Sequence, residues 1–316
     1  MRKLALITSC LILLSACAPG PDSSIQLAQQ GLLSGALSAD GKTAVVGSIH
    51  HGGSLWELSK KERLYDWNHQ SGQFSSMRSV AISGNGLIAV TSEEKNLVVW
   101  DASTGKSLGF WEAADRVLAI ALNANGSRAL IGMRDGTLDY FDLKTGQVLQ
   151  RMQHEAEVRS VALAQIEGIG VSGSDDFTAR SWDLNSGKEL ARLNLSNQVK
   201  TVGISGSGKL AFTSAQRSGI KLWEPASGKV AKTIDTRFTN YSSMRFTDDE
   251  NFMWLGTSAG MIEYWSISKA ERLQQWEAEP RQAWGGASSK AIIAISAQGK
   301  EARVLTADGL AQHFKP

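Results

Sequence analysis

One spacing governs the chain from end to end. An aromatic residue, in most copies followed by an acid, recurs at Trp56-Glu57, Trp100-Asp101, Phe141-Asp142, Trp182-Asp183 and Trp223-Glu224, at intervals of 44, 41, 41 and 41 residues. Trp265-Ser266 follows after 42 residues and Phe314-Lys315 after 49. Other features keep step with this ruler. Gly41, Gly86, Gly126, Gly168, Gly208 and Gly299 each lie 14 or 15 residues before their aromatic. Gly105, Gly146, Gly187 and Gly228 each lie five after it, and Trp67, Trp111, Met152, Leu193, Ile234 and Trp276 eleven after it. A period of this length means one supersecondary unit repeated, each copy burying its apolar face against the next.

Each unit reads as four short strands. In the fourth copy these are Ser160–Ala164, Gly170–Ser174, Thr178–Asp183 and Glu189–Leu193, separated by turns at Gly168, Asp175-Asp176 and Asn185-Ser186-Gly187. Glycine and Asn supply the positive φ that tight hairpins need. Seven such copies predict an all-β, seven-bladed β-propeller of four-stranded antiparallel blades. The aromatic on the third strand and the apolar residue eleven later on the fourth are expected to pack between blades. The seventh copy has strands at Ala291–Ser296, Ala302–Thr306 and Leu310–Phe314, and then the sequence stops at Pro316. Ser24–Gln30 (SIQLAQQ) has an otherwise unused strand pattern. It is expected to complete the last blade and close the ring, which removes an exposed edge strand.

Hydrophobic residues make up 42% of the 316 residues and charged residues 20%, which excludes a disordered chain or a polytopic membrane protein. The two cysteines, Cys10 and Cys17, lie within the first seventeen residues, so no disulfide framework or cysteine zinc site is available to the body of the chain. Those residues read as an address. Arg2 and Lys3 precede an apolar run, Leu4 to Leu14, too short to span a bilayer. The run ends in Leu14-Ser15-Ala16-Cys17, which resembles the lipobox of bacterial lipoproteins. The resemblance implies cleavage of residues 1–16 and lipidation of Cys17. Residues 17–24 then form a lipidated tether and 25–316 the propeller. Ala18, and not Asp, after the cysteine implies sorting to the outer membrane, facing the periplasm. The acyl chains would anchor it, each buried CH₂ contributing about 0.8 kcal/mol. Cleavage removes two of the 33 basic residues and leaves them equal to the 31 acidic ones. With no concentrated basic surface, nucleic acid is not an expected partner.

The Trp-Asp pair after the third strand and the turn sequences Ser-Gly-Lys and Thr-Gly-Lys resemble the WD-repeat family over residues 25–316. That resemblance implies a structural tetrad in copy four: His154, Ser172, Asp176 and Trp182, a buried hydrogen-bond chain stiffening the blade. The Asp position is Asp135 in copy three and Asp308 in copy seven, but Arg217 in copy five and Ala259 in copy six. The Gly-His signature is absent, so apolar packing is expected to hold most blades. Asp-x-x-Thr-Gly-x-x-Leu turns are similar to those of another propeller family, which includes a lipoprotein of the bacterial barrel-assembly machinery. The Trp-Asp ruler and seven copies, where that lipoprotein has eight, argue against direct equivalence.

Chemical motifs are sparse. Gly203–Leu210 (GISGSGKL) nearly matches the phosphate-binding GxxxxGK[ST], but it falls on a hairpin turn in repeat register, where no helix follows to cradle phosphate. The histidines, His50, His51, His69, His154 and His313, form no HExxH, and there is no GxSxG elbow. No catalytic constellation, metal site or cofactor is expected. The expected function is a non-catalytic protein-interaction scaffold, a rigid ring that offers many loop positions. Arg78, Arg116, Arg134, Arg159, Lys200 and Arg217 fall where strands begin or turn on the upper loop face. By resemblance these positions ring the channel mouth and contact partners, here protein partners with acidic segments, gripped by a monomeric propeller. Two alternatives stand: an accessory component of outer-membrane protein assembly, and a ligand-binding or enzymatic propeller of lactonase or lyase type. The small apolar residues of the inner strands (Val80, Ile82, Ile120, Val161, Leu163) disfavour the enzyme.

Overall fold

The computed structural model describes residues 18–70, 72–165, 168–216, 218–236, 238–282 and 289–315. Cys17 and the whole of the leader lie outside the described residues. Among the described residues every regular element is a strand, and these form seven four-stranded antiparallel sheets. Each sheet is one blade, with strands a to d running from the ring axis outward. In blade four these are Val158–Leu163, Ile169–Ser174, Thr178–Asp183 and Lys188–Asn194. Antiparallel order places the a–b and c–d turns at one end of each blade, the lower face. The b–c turns and the d–a connections lie at the other end, the upper face.

The acid after each strand-c aromatic has a local task. Asp183 Oδ1 accepts the amide of Asn185 at 2.9 Å, and the Gly187 amide donates to the Asp183 carbonyl at 2.7 Å. Asp142 holds the amides of Lys144 and Thr145 at 2.9 Å in the same way. The repeated Asp is therefore a turn acceptor. At the a–b turn, Gly126 takes φ +73°, and a Cβ there would lie 2.4 Å from Ile88 of the preceding blade. Only glycine satisfies both the conformation and the close approach.

Apolar packing between blades follows the ruler. The strand-d residue of one blade meets the strand-c aromatic of the next. Trp67 stacks on Trp100 with ring centroids 4.9 Å apart, and Trp111 meets Phe141 edge-on at 6.4 Å. Leu193 and Trp223 share one buried cluster, Ile234 and Trp265 another. Such buried aromatics dominate the stability of the ring.

The last blade is closed by the N-terminal strand, Ser23–Gln26, which pairs antiparallel with Leu310–Phe314. Ile25 stands opposite Ala311. It thus occupies the strand-d position that Trp67, Trp111 and their equivalents hold elsewhere, and it faces Trp56 of blade one. The closing strand is shorter than the expected Ser24–Gln30. Leu27 turns its amide to the Gly309 carbonyl at 2.8 Å, and Gly31 at φ +97° redirects the chain into blade one. Part of the expected tether is bonded to the ring. Asp22 donates to the His313 carbonyl at 2.8 Å, and the Pro19 carbonyl accepts from Glu277 of blade six at 3.0 Å. Residues 19–22 are thus docked chain.

Candidate functional site

Blade four holds the residues singled out as a tetrad. Trp182 Nε1 donates to Ser172 Oγ at 2.8 Å, and Ser172 Oγ lies 2.7 Å from His154 Nε2. His154 Nδ1 lies 2.8 Å from Asp176 Oδ2. Asp176 also accepts from Thr178 Oγ1 at 2.6 Å, from the Thr178 amide at 2.9 Å and from Arg180 at 2.9 Å. Burial depresses the His154 imidazole, and the bond to Asp176 only partly offsets this. Burial raises the Asp176 carboxyl, but the hydrogen bonds from His154 and Thr178 outweigh it and hold the group well below the usual carboxylate range. Both histidine nitrogens are engaged inside the blade. The arrangement stiffens the b–c turn and leaves no free base.

Other blades substitute different polar centres. In blade two, His69 Nε2 and Trp100 Nε1 both reach Thr91 Oγ1 at 2.9 Å. In blade three, Asp139 takes a two-pronged bond from Arg151, both arms at 2.8 Å. In blade six, buried Glu263 accepts from Tyr241 at 3.0 Å, Trp265 at 2.9 Å and Arg272 at 2.8 Å. Burial, followed by the Glu263 charge, raises the Tyr241 hydroxyl beyond its ordinary range. The phosphate-loop lookalike is a hairpin whose donors are taken: Ser207 gives both its amide and its hydroxyl to Glu250, each at 2.6 Å. No cluster of metal-ligating side chains occurs among the described residues.

The basic positions of the upper face differ from expectation in their charge balance. Arg116 pairs with Glu94 at 2.8 Å and Arg134 with Asp115 at 3.5 Å. Asp175 bridges Arg159 at 3.0 Å and Lys200 at 3.1 Å, and Arg159 also meets Glu157. Arg78 is exposed, and Arg217 lies outside the described residues. Among the described residues these basic positions alternate with acids in a belt of mixed charge. The b–c turns bring acids such as Glu94 and Asp175 into reach of cations from the d–a connections and the starts of the inner strands. Exposed pairs of this kind are worth only about 0–1 kcal/mol each and exchange partners readily.

The same face carries apolar side chains that charge reasoning passes over. Phe177 is 48% exposed, Phe74 69% and Phe238 99%. Phe74 is met edge-on by His51 at 5.7 Å, so His51 of the His50-His51 pair serves as an aromatic neighbour. Phe177 has a backbone cost. Its φ is +67°, in the b–c turn where Gly52, Gly136, Gly219, Gly260 and Gly309 serve blades one, three, five, six and seven. A bulky residue in this conformation costs about 1–2 kcal/mol relative to glycine. Of the other side chains held at positive φ, Glu94 pairs with Arg116, and Glu250 bonds Ser207. Phe177 is displayed to solvent on the turn that the His154–Asp176 network braces. The signal was present in the sequence as a Phe in a glycine's register.

A cleft of about 770 Å³ lies at the seam of blades seven and one, lined by Gln26, Leu27, Gln29, His51, Trp56 and Arg63. It exists because the four-residue closing strand leaves the Trp56 face partly uncovered, with the Arg63 guanidinium 6.0 Å above the ring.

Residues 42–172 match the family model described as PQQ_2, Outer membrane protein assembly factor BamB. That span runs from blade one into strand b of blade four. No curated protein matches the chain. The match falls on a family other than the WD repeats, so that resemblance is not shown. The chain is a seven-bladed β-propeller in which residues 42–172 are similar to the PQQ_2 model.

Proposed function

We propose that this propeller is a non-catalytic interaction module of the bacterial envelope, acting in outer-membrane protein assembly. The observation that carries the reading is the match of residues 42–172 to the assembly-factor family. Support comes from the upper face, where Phe74, Phe177 and Phe238 stand exposed among balanced ion pairs. Interfaces of this kind draw their energy from a few aromatic anchors and use surrounding charges for register. The histidine and acid of blade four are internally satisfied, which suits a rigid frame better than an acid–base site.

The reading includes lipidation of Cys17. Because Pro19 is already bonded to Glu277, a lipid at Cys17 would hold the ring close to the bilayer beside blades six and seven. It would not let the ring hang from a free tether. The test is in-cell crosslinking of the full chain followed by identification of the captured proteins. Capture of an outer-membrane assembly component, lost in Phe177→Gly, is the expected result. Capture of unrelated proteins, unchanged by Phe177→Gly, would remove the reading. For the anchor, Cys17→Ala should move the protein from the membrane to the soluble envelope fraction.

A further inference from the structure

Arg245 breaks the repeat at a position every other blade keeps small. It lies on strand a of blade six, Tyr241–Phe246, opposite Trp254. The equivalent residues are Ala36 opposite Val45, Ala81 opposite Val90, Ala121 opposite Leu130 and Ala162 opposite Val171. Gly203 opposite Phe212 and Ser296 opposite Arg303 complete the set. The reason for small residues is crowding between inner strands. A Cβ on Gly203 would lie 1.9 Å from Met244 Sδ.

The arginine is also uncompensated. Among the described residues its guanidinium takes part in no ion pair, and burial depresses it below the ordinary guanidinium value. Asp248 is the one charged group that acts on it, from beyond ion-pair reach. The neighbouring acids are engaged elsewhere: Asp249 holds Thr247 and Asn251, and Glu250 holds Ser207. Arg245 is only partly buried, and none of its nitrogens is both buried and unpartnered, so the guanidinium stays open to a ligand.

Arg245 lines a cavity of about 120 Å³ at the lower end of the ring axis, with Leu163, Gln165, Ile204, Thr247 and Asp248. The Thr247 hydroxyl is committed to Asp249. Gln165 brings a side-chain amide that could serve as a second donor. At about 30 Å³ per water, the space suits a group of a few heavy atoms. Asp248 at the rim disfavours a doubly charged anion such as phosphate.

We propose that Arg245 and this cavity form a carboxylate-binding site at the lower mouth of the channel. The guanidinium fork matches a carboxylate's two oxygens, and the ligand is a small free carboxylate or the terminal carboxylate of a peptide chain.

The test is thermal unfolding of the full chain in sodium acetate against sodium chloride at equal ionic strength, for the native protein and for Arg245→Met. Parallel arms use triglycine and its C-terminal amide. Acetate or free triglycine should raise the native Tm by about 2–4 °C over the control, as stabilisation by a bound ligand does. Arg245→Met should abolish the rise. A larger effect of triglycine than of its amide and of acetate identifies a chain terminus as the ligand; equal effects of acetate and triglycine identify the free group. Equal shifts in native and variant protein, or none in either, would overturn the site. Should Arg245→Met fail to fold, Arg245→Lys keeps the charge but loses the fork, and its rise should be clearly smaller.

Discussion

The two ends of the blades use the same hairpin chemistry to different purposes. At the lower end, glycines at positive φ hold the a–b turns of six blades, and side chains such as Asn123 and Ser205 bond back to their own turns. Where blade six departs, with Glu250 at φ +55°, the departing side chain is used at once to bond Ser207. At the upper end, five b–c turns keep glycine, but blade four places Phe177 there and gives it to solvent. Repetition marks what the frame requires. A departure that bonds inward is repair of the frame, whereas one that faces outward at a backbone cost is a candidate for recognition.

The sharpest way to break this contrast is to force a side chain into the lower turns. Gly126→Val should cost about 3 kcal/mol or more, from left-handed strain together with the clash at Ile88, read as a fall in the urea midpoint. Tolerance of that substitution would mean that the lower turns are not constrained as described. Next in size is the brace beneath Phe177. Ser172→Ala leaves the Trp182 indole and the His154 ring without their shared buried partner and should cost about 1–3 kcal/mol, measured by chemical denaturation.

Acid should expose the same brace. Burial holds the His154 imidazole below its free value of about 6.5, so the unfolded chain takes up the proton more readily. Stability present above about pH 6.5 is therefore lost as pH falls, and Asp176, also depressed, continues the loss at lower pH. The slope of unfolding free energy between pH 7 and pH 5 should be shallower in His154→Gln. An unchanged slope would show that the ring does not titrate as described. The smallest effect has the opposite sign. Phe177→Gly should stabilise the fold by about 1 kcal/mol, since glycine relieves the positive φ, while weakening partner capture. Loss of stability in that variant would show that Phe177 serves the frame.

Most of the architecture was legible because it is written seven times. The strand-c aromatics, the residues eleven later and the a–b glycines are fixed by contacts that recur from blade to blade, so their periodicity alone carries the fold. The closing strand was legible from the missing fourth strand of the last copy. Its true end at Gln26 was not, because Leu27 is turned by a bond to Gly309, nearly three hundred residues away in sequence. The docking of Pro19 on blade six escaped for the same reason. Charge misled most. Arg159 and Lys200 read as neighbours of an acidic partner; within the ring both meet Asp175, which lies in the same blade as Arg159 and reaches Lys200 through the packing of blade five on blade four. Phe177 and Arg245 were readable as departures from register, and they become informative once the aligned turn and strand show what the other blades place there.

The most direct test of the upper face as the site of recognition places a photo-crosslinking residue, in cells, at Phe177 on that face and at Phe110 on the outer rim, which is 61% exposed. The account expects a discrete crosslinked species containing an outer-membrane assembly component from position 177 and none from position 110. Capture of the same protein from position 110, with none from 177, would contradict it.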